Sequence, residues 1–520
     1  MTEQPIHLAD AHVEPDEQSP REECGVFGVW APGEDVAKLT YYGLYALQHR
    51  GQEAAGIAVA DGSQVIVFKD LGLVSQVFDE ATLAGMVGHV AVGHCRYSTT
   101  GSTTWENAQP VFRHTAAGTG VALGHNGNLV NTAELATQAR ELGVMNNGGM
   151  SATTDSDILG ALLAHGAADT SLEQAACELL PTVRGAFCLT FMDENTLYAA
   201  RDPHGVRPLS LGRLDRGWVV ASETAALDIV GASFVRDIEP GELLAIDADG
   251  VRSTRFANPT PKTCVFEYVY LARPDSTLAG RSVHSTRVDI GRRLAKEMPV
   301  DADLVIGVPE SGTPAAVGYA QESGIPFGQG LMKNAYVGRT FIQPSQTIRQ
   351  LGIRLKLNPL REVIRGKRLV VVDDSIVRGN TQRALIRMLR EAGALEVHVR
   401  IASPPVKWPC FYGIDFASPA ELIANAAHDG PQSEMLEAVR HAIGADTLGY
   451  ISTEAMISAT EQPASRLCCA CFDGVYPIEL PSETALGKNV IEQMLANAAR
   501  ENPATPVQAS NDNASALRRP

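Results

Sequence analysis

The sequence predicts two domains of different class, an α+β domain followed by an α/β domain with a mainly parallel sheet. From Cys24 to about residue 255, short β-like runs punctuated by glycine are interrupted by isolated helical patterns. Beyond residue 283 single strands alternate with single helices, the order that a parallel sheet with crossover helices requires. The length, 520 residues, suffices for two or three domains with a core each.

Taken in order, residues 1–23 are polar and lack apolar periodicity, and the first domain starts abruptly at Cys24 in "REECGVFGVW". Its clearest strands are "QVIVFKD", "HVAVGHCRYS", "VALGHNGNL", "GAFCLTFMD", "TLYAARD" and "GWVVASE", with helical patterns at 155–165 and 171–180. "STRFANPTPKT", residues 253–263, reads as a linker, so the first domain is placed at 24–255 and the linker at 256–282. The second domain, 283–465, opens with "DLVIGVPES" before "PAAVGYAQESG". It continues with "KRLVVVDDS" before "TQRALIRMLREAG", then "LEVHVRIAS". The helix after Thr381 sets Leu385, Leu389 and Ala392 on one face and stops at Gly393. A C-terminal segment, 466–495, precedes a polar tail, 496–520, expected to be disordered.

A net charge of −17 argues against broad nucleic-acid binding, and 45% hydrophobic with 20% charged residues is an ordinary globular composition. No apolar run approaches the ~20 residues that span a membrane. The leader lacks the basic start and apolar centre of a secretory signal, so a cytoplasmic location is expected. Nine cysteines, an odd number, fit reactive or metal-binding thiols better than a disulfide framework.

The most demanding stretch is "LVVVDDSIVRGNT", Leu369 to Thr381: a β-branched run ending in two acids, then a small-residue loop opening a helix. Such a loop offers backbone N–H groups and hydroxyls to an anion, and the acids suit ribose hydroxyls or a magnesium-bound sugar. It resembles the ribose-phosphate loop of type I phosphoribosyltransferases, which use 5-phosphoribosyl 1-diphosphate (PRPP). The resemblance implies that Asp373 and Asp374 contact the ribose. Ser375, Ile376, Val377, Arg378, Gly379, Asn380 and Thr381 would cradle the 5-phosphate. "GVPESGTPAA" matches the diphosphate loop, and its Ser311, with Asp373 and Asp374, matches the magnesium site. Asn380 departs from the commoner "RGTT" form.

In the first domain "CGVFG", "ALQHRGQE", "GHCRYSTTG", "GHNGNL", "TTDSDIL" and "RDPHGVRPL" together resemble the N-terminal-nucleophile (Ntn) glutamine amidotransferases, whose fold is an αββα sandwich. With the second half, residues 24–480 resemble the glutamine phosphoribosylpyrophosphate amidotransferases. The resemblance implies that glutamine is hydrolysed at Cys24 and ammonia passes internally to C1 of PRPP, giving 5-phosphoribosylamine at the entry to purine synthesis. A free α-amine, with a pKa near ~8, can serve as the thiol's base only if Cys24 is the first residue of the mature chain. Residues 1–23 would then be a propeptide. Asn126 and the N–H of Gly127 would form the oxyanion hole, Arg96 would bind the glutamine α-carboxylate, Asp155 the α-ammonium, and Arg50 would line the pocket.

"LMKNAYVGRTFIQPSQ" resembles the lid over PRPP, with Lys333, Tyr336, Arg339 and Thr340 in it and Ala335 where relatives carry arginine. Purine nucleotides (AMP, GMP, ADP) would be inhibitors with Lys333 a contact, and the relatives' assembly implies a homotetramer or homodimer. The pair Cys468 and Cys471 in "LCCACF" is by itself half of a zinc or iron–sulfur site. No second C-x-x-C exists, but Cys264 and Cys410 could complete four thiolates. One subgroup of the resembled family carries a [4Fe–4S] cluster on cysteines in these four contexts, together with the propeptide. The resemblance thus implies one cluster and one Mg2+ per subunit, with Cys177 and Cys188 left as core residues. Two other readings stand beside this one: a PRPP-binding regulator without chemistry, and a different amidotransferase. The intact acids at 373–374 weigh against the former and the PRPP loop against the latter.

Overall fold

The computed structural model of the chain describes residues 24–97, 104–144, 154–334, 356–414, 421–425 and 431–481. Gly25–Trp30 consists of apolar residues and glycine throughout, which suits a strand covered on both faces. It is central in a seven-stranded antiparallel sheet. The order is Ser233–Asp237, Ser210–Leu214, Gly217–Ala221, Gly25–Trp30, Val90–Arg96, Ala54–Ala60, Val65–Leu71. A six-stranded antiparallel sheet runs Gly250–Arg255, Glu242–Asp247, Leu197–Arg201, Gly185–Met192, Gly120–Leu129, Val111–His114.

The inner faces of these sheets share one core, where Val26, Ala58 and Val92 meet Cys188, Met192 and Leu197. Helix Val36–Ala46 covers the outer face of the first sheet, and helices Asp155–Gly166 and Leu172–Leu179 that of the second. The layers are therefore helix, sheet, sheet, helix, as expected. Cys188 is wholly buried, whereas Cys177 is only half-buried at the margin of the helical layer.

Four parallel strands, Leu304–Gly307, Arg368–Asp373, Glu396–Ile401 and Thr447–Tyr450, form the sheet of the second half. Alternate residues face opposite sides. Val370 and Val372 join a core with Ile290, Tyr319 and Met456, while Leu369 and Val371 join one with Leu385, Leu389 and Val439. Helices thus pack on both faces, and the helix Asn380–Glu391 buries the apolar face read from its sequence.

The stretch 256–282, expected as a linker, is densely packed over residues 264–272. Val265, Phe266, Glu267 and Tyr268 are wholly buried, in a core that also takes in Val130, Ala186 and Val206 of the sandwich. Thr263–Cys264 pairs in parallel with Leu467–Cys468, tying this stretch to the C-terminal segment. Among the described residues no helix is long and apolar enough to cross a membrane.

Candidate functional site

Cys24 immediately precedes the central strand, and the register Gly25↔Cys95 brings Arg96, the last residue of its own strand, opposite it. The second sheet contributes Asn126 and Gly127 from Gly120–Leu129, and helix Asp155–Gly166 contributes its first residue. Cys24, Arg96, Gly127 and Asp155 line one cavity with Tyr97, Gln109, His125, Thr154 and Ser156. The Cys24 thiol donates to the Tyr97 carbonyl (3.3 Å) and accepts from the Tyr97 amide (3.4 Å).

Asn126 is fully buried, and neither polar atom of its amide has a hydrogen-bond partner among the described residues. An unpartnered buried polar group costs about 1–3 kcal/mol; Asn126 itself is not among the residues lining the cavity, although its neighbours His125 and Gly127 are. Gly127 has φ +150, and a Cβ there would lie 2.0 Å from the Ala186 carbonyl oxygen; only glycine fits. The Asp155 carboxylate accepts from Leu129 N (3.2 Å) and Ser156 N (2.8 Å) in the first turn of its helix, where the helix dipole favours negative charge.

Arg50 lies beneath the nucleophile rather than among the residues lining the cavity. Its Nε donates to the Cys24 carbonyl (3.2 Å), Nη1 to Glu223 (2.6 Å) and Nη2 to Glu267 (2.8 Å). Glu223 also receives His49 Nε2 (2.7 Å), Ser276 Oγ (2.6 Å) and the Arg273 amide (2.8 Å). Burial opposes its charge, yet His49 above all, then Arg50 and Ser276, hold its carboxyl well below the usual range.

Tyr97, Gln109, His125, Thr154 and Ser156 were not singled out from the sequence. Four of them adjoin assigned residues in "HCRYST", "GHNGNL" and "TTDSD"; Gln109 had no local signal. Its side chain binds the elements together, accepting from His125 N (2.7 Å) and donating to Ser156 Oγ (3.0 Å).

In the second half Asp373 ends its strand and Asp374 follows, both buried. Ser311 Oγ donates to Asp374 Oδ2 (2.6 Å) and Ser375 Oγ to Asp374 Oδ1 (2.5 Å), while Gln382 holds Asp373. Burial and the adjoining Asp374 push the Asp373 carboxyl well above its usual range; burial likewise raises Asp374. Two buried acids side by side, beside a hydroxyl, form a seat for a cation. The loop then turns through Gly379 (φ +77), where a Cβ would meet Ile423 Cδ1 at 2.4 Å, into the helix Asn380–Glu391. Arg378 is paired with Glu421 (3.2 Å). Lys333 is exposed on Leu331–Lys333; Tyr336, Arg339 and Thr340 lie outside the described residues.

Cys264, Cys410, Cys468 and Cys471 come together from three separate stretches to line a second cavity, with Val206, Arg207, Tyr412, Ile414, Ala470 and Tyr476. Cys264 lies opposite Cys468 in the paired strands. Burial pushes the Cys468 thiol up to about 12 and Cys471 well above its usual value, the latter aided by Cys264, Cys410, Cys468 and Cys469. Cys469 is buried outside this lining. Among the described residues no group of three or more His, Cys, Asp or Glu side chains is placed to hold a metal ion.

Residues 94–228 match the model of the glutamine amidotransferase domain and 284–403 that of the phosphoribosyl transferase domain. The chain is 87% identical over 488 residues to the amidophosphoribosyltransferase of Mycobacterium tuberculosis (strain ATCC 25618 / H37Rv), covering 94% of this chain and 92% of that one. It is 46% identical over 470 residues to that of Bacillus subtilis (strain 168), covering 89% and 96%. Among solved structures, the glutamine PRPP amidotransferase from B. subtilis complexed with ADP and GMP superimposes with a TM-score of 0.81 at 45% identity. The match covers 89% of this chain and 99% of that one.

Proposed function

The chain belongs to the amidophosphoribosyltransferase family, and from that premise we propose how its residues divide the reaction. Glutamine is hydrolysed in the cavity at Cys24, and ammonia passes inside the protein to C1 of PRPP. The products are glutamate, diphosphate and 5-phosphoribosylamine, at the entry to purine nucleotide synthesis. The observation that carries this assignment is the convergence of Cys24, Arg96, Gly127 and Asp155 on one cavity.

The α-amine of Cys24, freed by removal of residues 1–23, takes the thiol proton, and Sγ attacks the side-chain amide carbon of glutamine. The Gly127 N–H and the Asn126 amide face the oxyanion, and the same amine returns the proton to departing ammonia. Water then releases glutamate from the thioester. Arg96 grips the α-carboxylate and Asp155 the α-ammonium. Arg50 acts on none of these atoms; it fixes the Cys24 carbonyl, and so the direction of both the thiol and the amine. Asn126→Ala is expected to lower kcat for glutamine hydrolysis about 10²–10³-fold with little change in KM, measured by glutamate release.

At the second site Asp373 and Asp374 hold the ribose hydroxyls and residues 375–381 the 5-phosphate. Ser311 and the two acids fit Mg2+, since the buried pair disfavours its own double charge until a cation arrives. Magnesium bound there with the substrate's diphosphate offsets charge on the leaving group. Ammonia attacks C1 as the C1–O bond to diphosphate breaks and a proton is lost. Bulk water would convert the ammonia to ammonium, which is why the transfer is internal. Lys333, Tyr336 and Arg339 belong to the lid in this reading. The ADP and GMP named for the B. subtilis structure support purine nucleotides as regulators. Cys264, Cys410, Cys468 and Cys471, which line one cavity, would hold a [4Fe–4S] cluster through four thiolates.

The test supplies amide-¹⁵N glutamine, PRPP and Mg2+ in excess unlabelled ammonium and measures the nitrogen of the product. Label retained in 5-phosphoribosylamine is expected; dilution to the ammonium pool overturns internal transfer. Intact mass of the same sample is expected to begin at Cys24. A fully active chain beginning at Met1 or Thr2 overturns the amine as base.

A further inference from the structure

The segment that carries Cys410 packs against the strand that lines the glutamine cavity. Asn128, two residues beyond Asn126 on the oxyanion strand, donates from Nδ2 to the Phe411 carbonyl (3.0 Å). At Gly413 an added Cβ would already be 3.4 Å from the Gly127 backbone, so the segment 410–413 lies directly against the glycine of the proposed oxyanion hole. That segment carries Cys410, and its Tyr412 lines the cysteine cavity.

A second connection runs through buried charges. Arg207 lines the cysteine cavity and donates to the Tyr412 carbonyl through Nε (3.2 Å) and Nη2 (2.7 Å). Its Nη1 is 3.5 Å from Glu267, which in turn receives Arg50, the residue that holds the Cys24 carbonyl. Arg207, Glu267 and Arg50 are all almost completely buried. In such surroundings charges are held in fixed geometry, because a displaced partner leaves an uncompensated ion. The motif "RDPHGVRPL" serves this chain: Arg201 donates to the carbonyls of Gly205 (2.9 Å) and Arg207 (2.8 Å), fixing the turn that presents Arg207.

We propose that filling of the four-cysteine cavity positions the glutamine site, through the segment 410–413 against Gly127 and Asn128 and through Arg207, Glu267 and Arg50 beneath Cys24. Arg207, Glu267 and Asn128 are positioning residues for glutamine hydrolysis and take no part in the amination of PRPP. The inference rests on the cluster reading above and extends it: the cysteines support one of the two active sites, rather than the fold at large.

The test compares anaerobically purified wild type and Glu267→Gln. Iron and sulfide content is measured first, then the rate at which a chloroketone analogue of glutamine alkylates Cys24, read by peptide mass. Glutamine kcat and KM and the ammonia-dependent amination of PRPP complete the set. Glu267→Gln is expected to keep its iron, its ammonia-dependent rate and its KM, and to lose about tenfold or more in alkylation rate and kcat, as misplacement of a reacting group does. Chelation of iron from the wild type is expected to slow alkylation by a similar factor, and to add little in Glu267→Gln, because both act through one path. Should Glu267→Gln fail to fold, Asn128→Ala carries the same expectation.

Alkylation at the wild-type rate in the variants, or fully multiplicative effects of variant and chelation, overturns the proposal. Loss of the ammonia-dependent rate on chelation also overturns it, by assigning the cavity to the whole fold. A preparation without iron or sulfide overturns the cluster reading and with it the cavity's part, while the variants' alkylation rates still decide the buried charge path.

Discussion

Cys24→Ala is expected to lower glutamine-dependent formation of 5-phosphoribosylamine by at least about 10⁴-fold, because no other group takes over once the covalent nucleophile is gone. The same variant supplied with ammonia at high pH should aminate PRPP at the wild-type rate. That separation is the point of the measurement: the thiol immediately precedes a strand of the sandwich, whereas the acids proposed to seat PRPP lie at the end of a strand of the parallel sheet. A parallel fall in both activities would mean that Cys24 holds the two halves together instead of attacking glutamine. Ammonia at high pH and glutamine at neutral pH, compared on one preparation by diphosphate release, distinguish the two.

Asp373→Asn should have the opposite pattern, with a second consequence in stability. Amination with either nitrogen source is expected to fall about 10²–10³-fold, the usual loss when a preorganised polar contact to the reacting group is removed. The substrate-free protein, however, should become more stable. Burial and Asp374 raise the Asp373 carboxyl well above its usual range. Between the ordinary and the raised value the folded chain binds more protons than the unfolded chain, so this group's contribution falls as pH rises through that window. It is fully present below the unfolded value, and above the raised value the charged acid works against folding. The substituted amide carries no such charge, so the gain is expected at pH 7–8, about 0.5–2 kcal/mol, and should vanish below about pH 4. Melting curves across pH measure it; a variant less stable than wild type at pH 8 would refute the account.

Much of the architecture could be read directly. Glycine-punctuated apolar runs announced the antiparallel sandwich, and the regular alternation after residue 283 announced the parallel sheet, because period and order are local properties of the chain. The motifs around Cys24, Arg96, Gly127 and Asp155 were legible as a set through resemblance, and the fold brings these four residues to one cavity. What stayed hidden was mostly long-range. Glu223 and Glu267 clasp Arg50 from far along the chain, and Phe411 meets Asn128 across the two halves. No periodicity records such pairs. Gln109, which joins His125 to Ser156, has no motif of its own.

The linker illustrates a different limit. Pro and Asn in "STRFANPTPKT" signal a break truthfully, but "VFEYVYLA" just beyond it is a short apolar run, equally suited to a buried strand or a helical turn. It folds as the latter, over Glu267–Leu271, and disappears into the core. Arg50 was expected on the pocket wall because it sits in a recurring motif; its carbonyl and carboxylate partners set it one layer below.

That buried stretch bears on how the two halves can be inherited. A sandwich cut off at residue 255 would keep Cys24 and Arg50 but lose Glu267, leaving Arg50 without one of its two carboxylates and Arg207 without the Tyr412 carbonyl. A parallel-sheet half taken alone would lose Val130, Ala186 and Val206 from the core that buries Phe266 and Tyr268. Neither half is therefore a portable module. Exchanging either half between relatives requires carrying residues 263–272 and their partners along with it.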